Sequence, residues 1–120
     1  MAACVEELTL KAEDLQRDSV VVAVDSGRLV GLAQVSNDRD GCFLEKLFVN
    51  PADMGKGIGR TLFDWSCSAA RDKNATQMIV EADPDAVLFY RAMGCRHEGS
   101  ARSGSIPGRT LPRFVRDLTE

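Results

Sequence analysis

The chain has one histidine, His97, one tryptophan and one tyrosine, and its four cysteines, Cys4, Cys42, Cys67 and Cys95, form no CxxC pair. Without paired cysteines or clustered histidines, no metal-site spacing is present. A lone His97 with no nearby Ser or Cys nucleophile pattern reads as a surface or hydrogen-bonded residue. The scattered cysteines point to reduced, mostly buried thiols and a cytoplasmic setting. The N-terminus has no basic region followed by an apolar run and a cleavage site. No apolar segment approaches the roughly 20 residues that span a bilayer, so a soluble protein without membrane contact is expected. Net charge is −3 and no Lys/Arg block stands out. That argues against a nucleic-acid partner held by broad phosphate neutralisation.

What is present is enough for one domain over residues 1–120, with 44% apolar residues to build a core. Cys4 or Val5, Leu8, Ala12 and Leu15 recur at helical spacing among Glu6, Glu7, Lys11 and Glu13, which predicts an amphipathic helix over 3–16. Two β-rich runs, 19–25 and 28–36, meet at Ser26-Gly27, a pair suited to a tight hairpin turn. A third strand over 42–49 follows a polar loop and completes an antiparallel meander. Ile58, Leu62, Trp65 and Ala69 then form one stripe of a helix over 57–72. The unbroken run Met78-Ile79-Val80 suits a strand covered on both faces, so 42–49, 57–72 and 76–82 make a βαβ unit. A short helix over 85–93 ends at Gly94, and β-like runs near 95–102 and 110–118 flank SGSIPG. The expected class is α/β: a mixed sheet with an antiparallel meander, a βαβ crossover, then a helix and two strands.

The stretch NPADMGKGIGRTLF, residues 50–63, sets three glycines on alternate positions beside Lys56 and Arg60, just before a helix. A helix N-terminus exposes unpaired N–H groups and partial positive charge, which ordinarily attracts acidic residues. Cations there are unfavourable unless an anion occupies the site, and glycines let a phosphate approach the backbone. The pattern lacks the GK[ST] ending of a Walker loop and the GxGxxG of a dinucleotide fold. A flexible glycine loop with solvated charges is the plain alternative.

With EADPDAVLFYRAMGCR, residues 81–96, the two stretches resemble the GNAT superfamily of acyl-CoA N-acyltransferases. The family's [Q/R]-x-x-G-x-[G/A] loop aligns with Met54, Gly55, Lys56, Gly57, Ile58 and Gly59. Its N-x-x-A-x-x-F-Y-x-x-x-G-F pattern aligns with Asp83, Ala86, Phe89, Tyr90, Gly94 and Cys95. The resemblance runs from about residue 20 to the end of the chain. It departs from the pattern at Met54, where Arg or Gln is usual, at Asp83, where Asn is usual, and at Cys95, where Phe is usual.

The resemblance implies acetyl-CoA as co-substrate. Backbone groups of Leu47, Phe48 and Val49 would meet pantetheine, and the amides of Gly55 to Gly59 would hold the pyrophosphate with charge from Lys56 and Arg60. Tyr90 matches a tyrosine that donates a proton to the departing thiolate. For the base, Glu45 comes first because it alternates with Phe43, Leu47 and Val49, a setting expected to be apolar. Glu81, at the end of the next strand, comes second, and a water chain remains open. Arg96, Arg102, Arg109, Arg113 and Arg116 read as a solvated basic face.

The implied activity is transfer of an acetyl group to a primary amine of a small molecule or peptide, by direct attack in a ternary complex. The alternative is a catalytically weak CoA-binding regulatory module of the same fold. The helix expected over 3–16 matches only the family's second helix, so the chain looks N-terminally short, lacking the usual first strand and helix. Ser19 to Asp25 would then be a sheet edge. Val20, Val21 and Val22 would make that edge prone to association, and a homodimer is expected.

Overall fold

The computed structural model describes residues 8–14, 18–39, 41–102 and 110–119. Seven strands, β1 (Leu8–Asp14), β2 (Asp18–Asp25), β3 (Arg28–Asp38), β4 (Gly41–Val49), β5 (Gln77–Glu81), β6 (Arg96–Arg102) and β7 (Thr110–Asp117), form one sheet in the order β1-β2-β3-β4-β5-β7-β6. Helix α1 (Ile58–Asp72) connects β4 to β5, and α2 (Val87–Ala92) follows β5. Every neighbouring pair is antiparallel except β4 and β5, which run parallel as the helical crossover requires. The mixed α/β class and the order of elements from residue 18 onward are those expected from sequence.

The N-terminal helix is not. Residues 8–14 are a strand, whose register pairs run from Leu8 opposite Asp25 to Asp14 opposite Ser19. The rest of the expected helix lies outside the described residues. LTLKAED satisfies a period of two as well as a period of four, and six of its seven side chains are exposed. Little core contact decides between the two forms, and the unpaired N–H and C=O groups of β2 favour the strand. Its end is tied down: the Asp14 carboxylate accepts from Ser19 Oγ at 3.0 Å and pairs with Lys73 of the turn after α1 at 3.0 Å.

This also corrects the expected edge. β2 is paired on both sides, and Val21 and Ala23 are fully buried, so the argument from an open β2 edge to a homodimer loses its basis.

Helix α1 buries Ile58, Leu62, Phe63, Ser66, Cys67 and Ala70. The expected stripe is rotated slightly, since Trp65 and Ala69 are only half-buried. Ser66 is tolerated in the interior because its hydroxyl donates to the Leu62 carbonyl at 2.8 Å. One part of the core joins Ile58 and Leu62 to Val21, Ala23, Val30 and Ala33. Another joins Phe63, Cys67 and Ala70 to Met78, Val80, Tyr90 and Phe114. Met78, Ile79 and Val80 are all buried, as a strand covered on both faces requires. Cys42, Cys67 and Cys95 are buried free thiols, and Cys4 lies outside the described residues. Among the described residues, no helix is long and apolar enough to cross a membrane.

Candidate active site

Two features of β4 shape the site. First, Gln34 lies opposite Lys46 and Val35 opposite Leu44, which leaves Glu45 as the extra residue of a bulge. Second, among the described residues β4 is paired with β5 only at Phe43 and Ile79. Past that pair the strands part, and two cavities open where they separate. The larger, about 500 Å³, lies between the C-terminal end of β4, the glycine loop, the start of α1 and helix α2. The smaller, about 400 Å³, is walled by Leu44 to Phe48 of β4 and by Val80 to Asp83. Leu47, Ala86 and Tyr90 line both.

The glycine loop builds one end of the larger cavity. Asn50 starts it by accepting the Ala52 N–H on its side chain at 3.1 Å, capping a single turn over Pro51–Asp53. Gly55 and Gly57 then adopt φ of +83° and +81°, a left-handed conformation that costs other residues more. Gly57 caps α1, and the first bond into the helix is donated by the Thr61 N–H to the Gly57 carbonyl at 3.1 Å. The amides of Ile58, Gly59 and Arg60 precede that bond, and the first turn holds no acidic residue. Gly59 lets α1 and Phe89 pack closely: a Cβ there would stand 3.2 Å from the Phe89 ring, which would have to give by a few tenths of an ångström. An anion at this helix terminus, with Arg60 exposed in the cavity wall, fits the donor set.

Sequence reasoning missed the anchor of this loop. Asp53, 1% exposed, accepts from Arg28 Nη1 and Nη2 at 2.8 Å each, and from Lys56 Nζ at 3.2 Å. The bidentate Arg28 guanidinium, then Lys56, hold its carboxyl down to about 2. Lys56 is therefore already paired rather than a free cation. Nothing in a polar loop marks one aspartate as buried, and Arg28 lies 25 positions earlier.

Tyr90, 6% exposed, packs tilted against Phe63 and edge-on to Phe89, and burial pushes its phenol up to about 12. Along β4, Leu47 and Val49 line the larger cavity while Phe48, half exposed, lines the smaller. Met54 and Ile58 are also in the larger cavity's wall, the first exposed and the second buried in the core. Asp83 lines the smaller cavity and caps the turn Pro84–Ala86, accepting the Asp85 N–H at 3.4 Å.

Glu45 and Glu81 both line the smaller cavity, together with Tyr90. The apolar setting expected for Glu45 is not found. The bulge breaks the strand alternation, the side chain is exposed, and it accepts from Ser36 Oγ at 2.6 Å. Glu81 pairs with Arg113 across β5 and β7 at 3.4 Å. His97 of β6 packs tilted against Phe114, and it lines neither cavity.

The glycine loop at the start of α1 thus opens beside the cleft where β4 and β5 part. The profile of the acetyltransferase (GNAT) domain matches residues 3–104, and the chain belongs to that family. No curated protein sequence matches it. Among solved structures, nourseothricin acetyltransferase is similar, with TM-score 0.77 and 19% identity over 93% of this chain and 85% of that one. A candidate streptothricin acetyltransferase from Bacillus anthracis str. Ames, in complex with acetyl coenzyme A, gives 0.74 and 12% over 92% and 85%. The ribosomal-protein-S18-alanine N-acetyltransferase from Escherichia coli gives 0.72 and 16% over 89% and 73%. At these identities the likeness is one of fold. Acetyl-CoA is the co-substrate of the family.

Proposed function

We propose that the chain transfers the acetyl group of acetyl-CoA to a primary amine by direct attack, the two substrates occupying the two adjoining cavities. The observation that carries this reading is that Tyr90 lines both cavities, as Leu47 of β4 does. The larger cavity would take acetyl-CoA, with its pyrophosphate on the amides at the start of α1 and its pantetheine along Leu47 to Val49. The smaller would present the amine of a small molecule or peptide.

In this mechanism the amine nitrogen attacks the thioester carbonyl carbon. The tetrahedral intermediate collapses with cleavage of the C–S bond, the amide nitrogen loses a proton, and the sulfur gains one. Glu45 takes the amine proton, directly or through water, with Glu81 as the second carboxylate in reach of the same cavity. Tyr90 serves the sulfur. A phenol near 12 keeps its proton at neutral pH, so it stays a donor throughout. Full transfer to a thiolate of ordinary pKa about 8.5 runs uphill, so Tyr90 acts first by hydrogen bonding to the sulfur as its charge develops.

The test is release of CoA thiol with a panel of primary amines. Amine-dependent release with intersecting initial-rate lines supports direct attack, whereas parallel lines or release without amine contradict it.

A further inference from the structure

We infer that Asp53 is a positioning residue for acetyl-CoA, holding the phosphate loop to the β2–β3 hairpin through Arg28 and fixing Lys56 between the two left-handed glycines. The inference rests on the reading of this loop as the pyrophosphate site. It starts from an electrostatic conflict. A buried carboxylate lines the cavity meant for a polyanion, and taken alone it repels that ligand. Its value must then lie in what it holds.

Three contacts define that role. Two N–H···O bonds at 2.8 Å join Asp53 to Arg28, the first residue of β3 and paired with Asp25 of β2. The third, to Lys56 Nζ at 3.2 Å, spans the left-handed Gly55. The segment between Asn50 and Ile58 is thus fastened at Asn50, whose N–H donates to the Val30 carbonyl at 2.8 Å, and at Asp53, while Gly55 and Gly57 supply the freedom. Unfastened, those glycines would let the amides wander from the geometry a pyrophosphate needs, a cost that appears in affinity. An exposed salt bridge does little of this, but here one partner is buried and the pairing is bidentate. Arg28 is not among the cavity's lining residues, so its effect on the ligand runs through Asp53.

The test measures CoA affinity by calorimetry, with the unliganded Tm recorded for each protein. Asp53→Asn removes a negative charge from the cavity wall, so simple Coulomb attraction predicts tighter binding. The positioning role predicts roughly five- to tenfold weaker binding. Arg28→Lys keeps the charge but loses the fork, and should also weaken binding several-fold in protein that is still folded. Binding by both variants as tight as the parent, or tighter, overturns the inference. So does a fall in Tm with unchanged affinity, which would make the contact structural alone. A parent that binds no CoA is a different failure: it removes the loop reading itself.

Discussion

Phe43 of β4 lies opposite Ile79 of β5, and among the described residues this is the one register pair between the two parallel strands. The sheet is continuous on either side of them, yet it gapes just beyond. Leu47, half-buried and lining both cavities, stands in that gap. Leu47→Trp should therefore obstruct the approach of the amine to the thioester and lower thiol release by at least about tenfold, since small misplacements at a reacting centre cost that much or more. An unchanged rate at saturating amine would show that the substrates meet elsewhere.

The glycine loop makes a second prediction. A ligand at a hundred times its Kd adds about 2.7 kcal/mol to stability, so CoA should raise the Tm of the parent. Gly57→Asp places a carboxylate beside the proposed pyrophosphate and should remove most of that shift. Gly57→Ala shares the left-handed strain at φ +81° without the charge, and should keep most of it. Equal shifts in the Asp variant and the parent would show that the phosphate lies elsewhere.

Stability should fall at both ends of the pH scale, for different groups. The Asp53 carboxyl is lowered by Arg28 from 3.8 to about 2, so its contribution is complete above pH 4 and is lost as pH falls from about 4 to 2. Burial raises Cys42 from 9.0 to about 11, Cys95 from 9.0 to about 12 and Tyr90 from 10.0 to about 12. The unfolded chain gives up these protons first, so their contribution is complete below about pH 9 and drains away toward pH 12. Urea midpoints measured across pH should be flat in the middle and fall at both ends. A midpoint that holds from pH 9 to 11 would mean these thiols and the phenol are not sealed as described.

Much of the fold was legible because its signals were local. The Ser26-Gly27 turn, the apolar run Met78 to Val80 and the glycines before α1 each carry their structural reason in neighbouring residues. Tyr90 was picked out by its match to the family's F-Y pattern, and the structure places it in the lining of both cavities. Leu8 and Ala12 were misread because a spacing of four fits one face of a helix and one face of a strand alike, and the choice was made by β2, which needed a partner. The bulge at Glu45 and the Arg28–Asp53 pair were invisible because both depend on residues distant in sequence. The pairing of β2 on both sides carries a prediction of its own. Val21→Lys would charge an open edge, but Val21 is 0% exposed and paired on both sides, so the lysine should instead destabilise by about 3 kcal/mol or more, like other unpaired buried charges. A variant with the parent's Tm would contradict the burial of Val21 beneath Ile58 and Leu62 of α1.

The role proposed for Tyr90, which lines both cavities, is to assist departure of the CoA thiolate. Its most direct test is Tyr90→Phe, which deletes the hydroxyl and keeps the ring that packs on Phe63 and Phe89. Single-turnover acetyl transfer would be measured with saturating acetyl-CoA and an accepted amine from pH 6 to 9, beside the Kd for CoA. The account predicts a rate roughly 10²-fold lower or worse across that range, with CoA affinity within about twofold of the parent. A rate equal to the parent's across the whole range would contradict it.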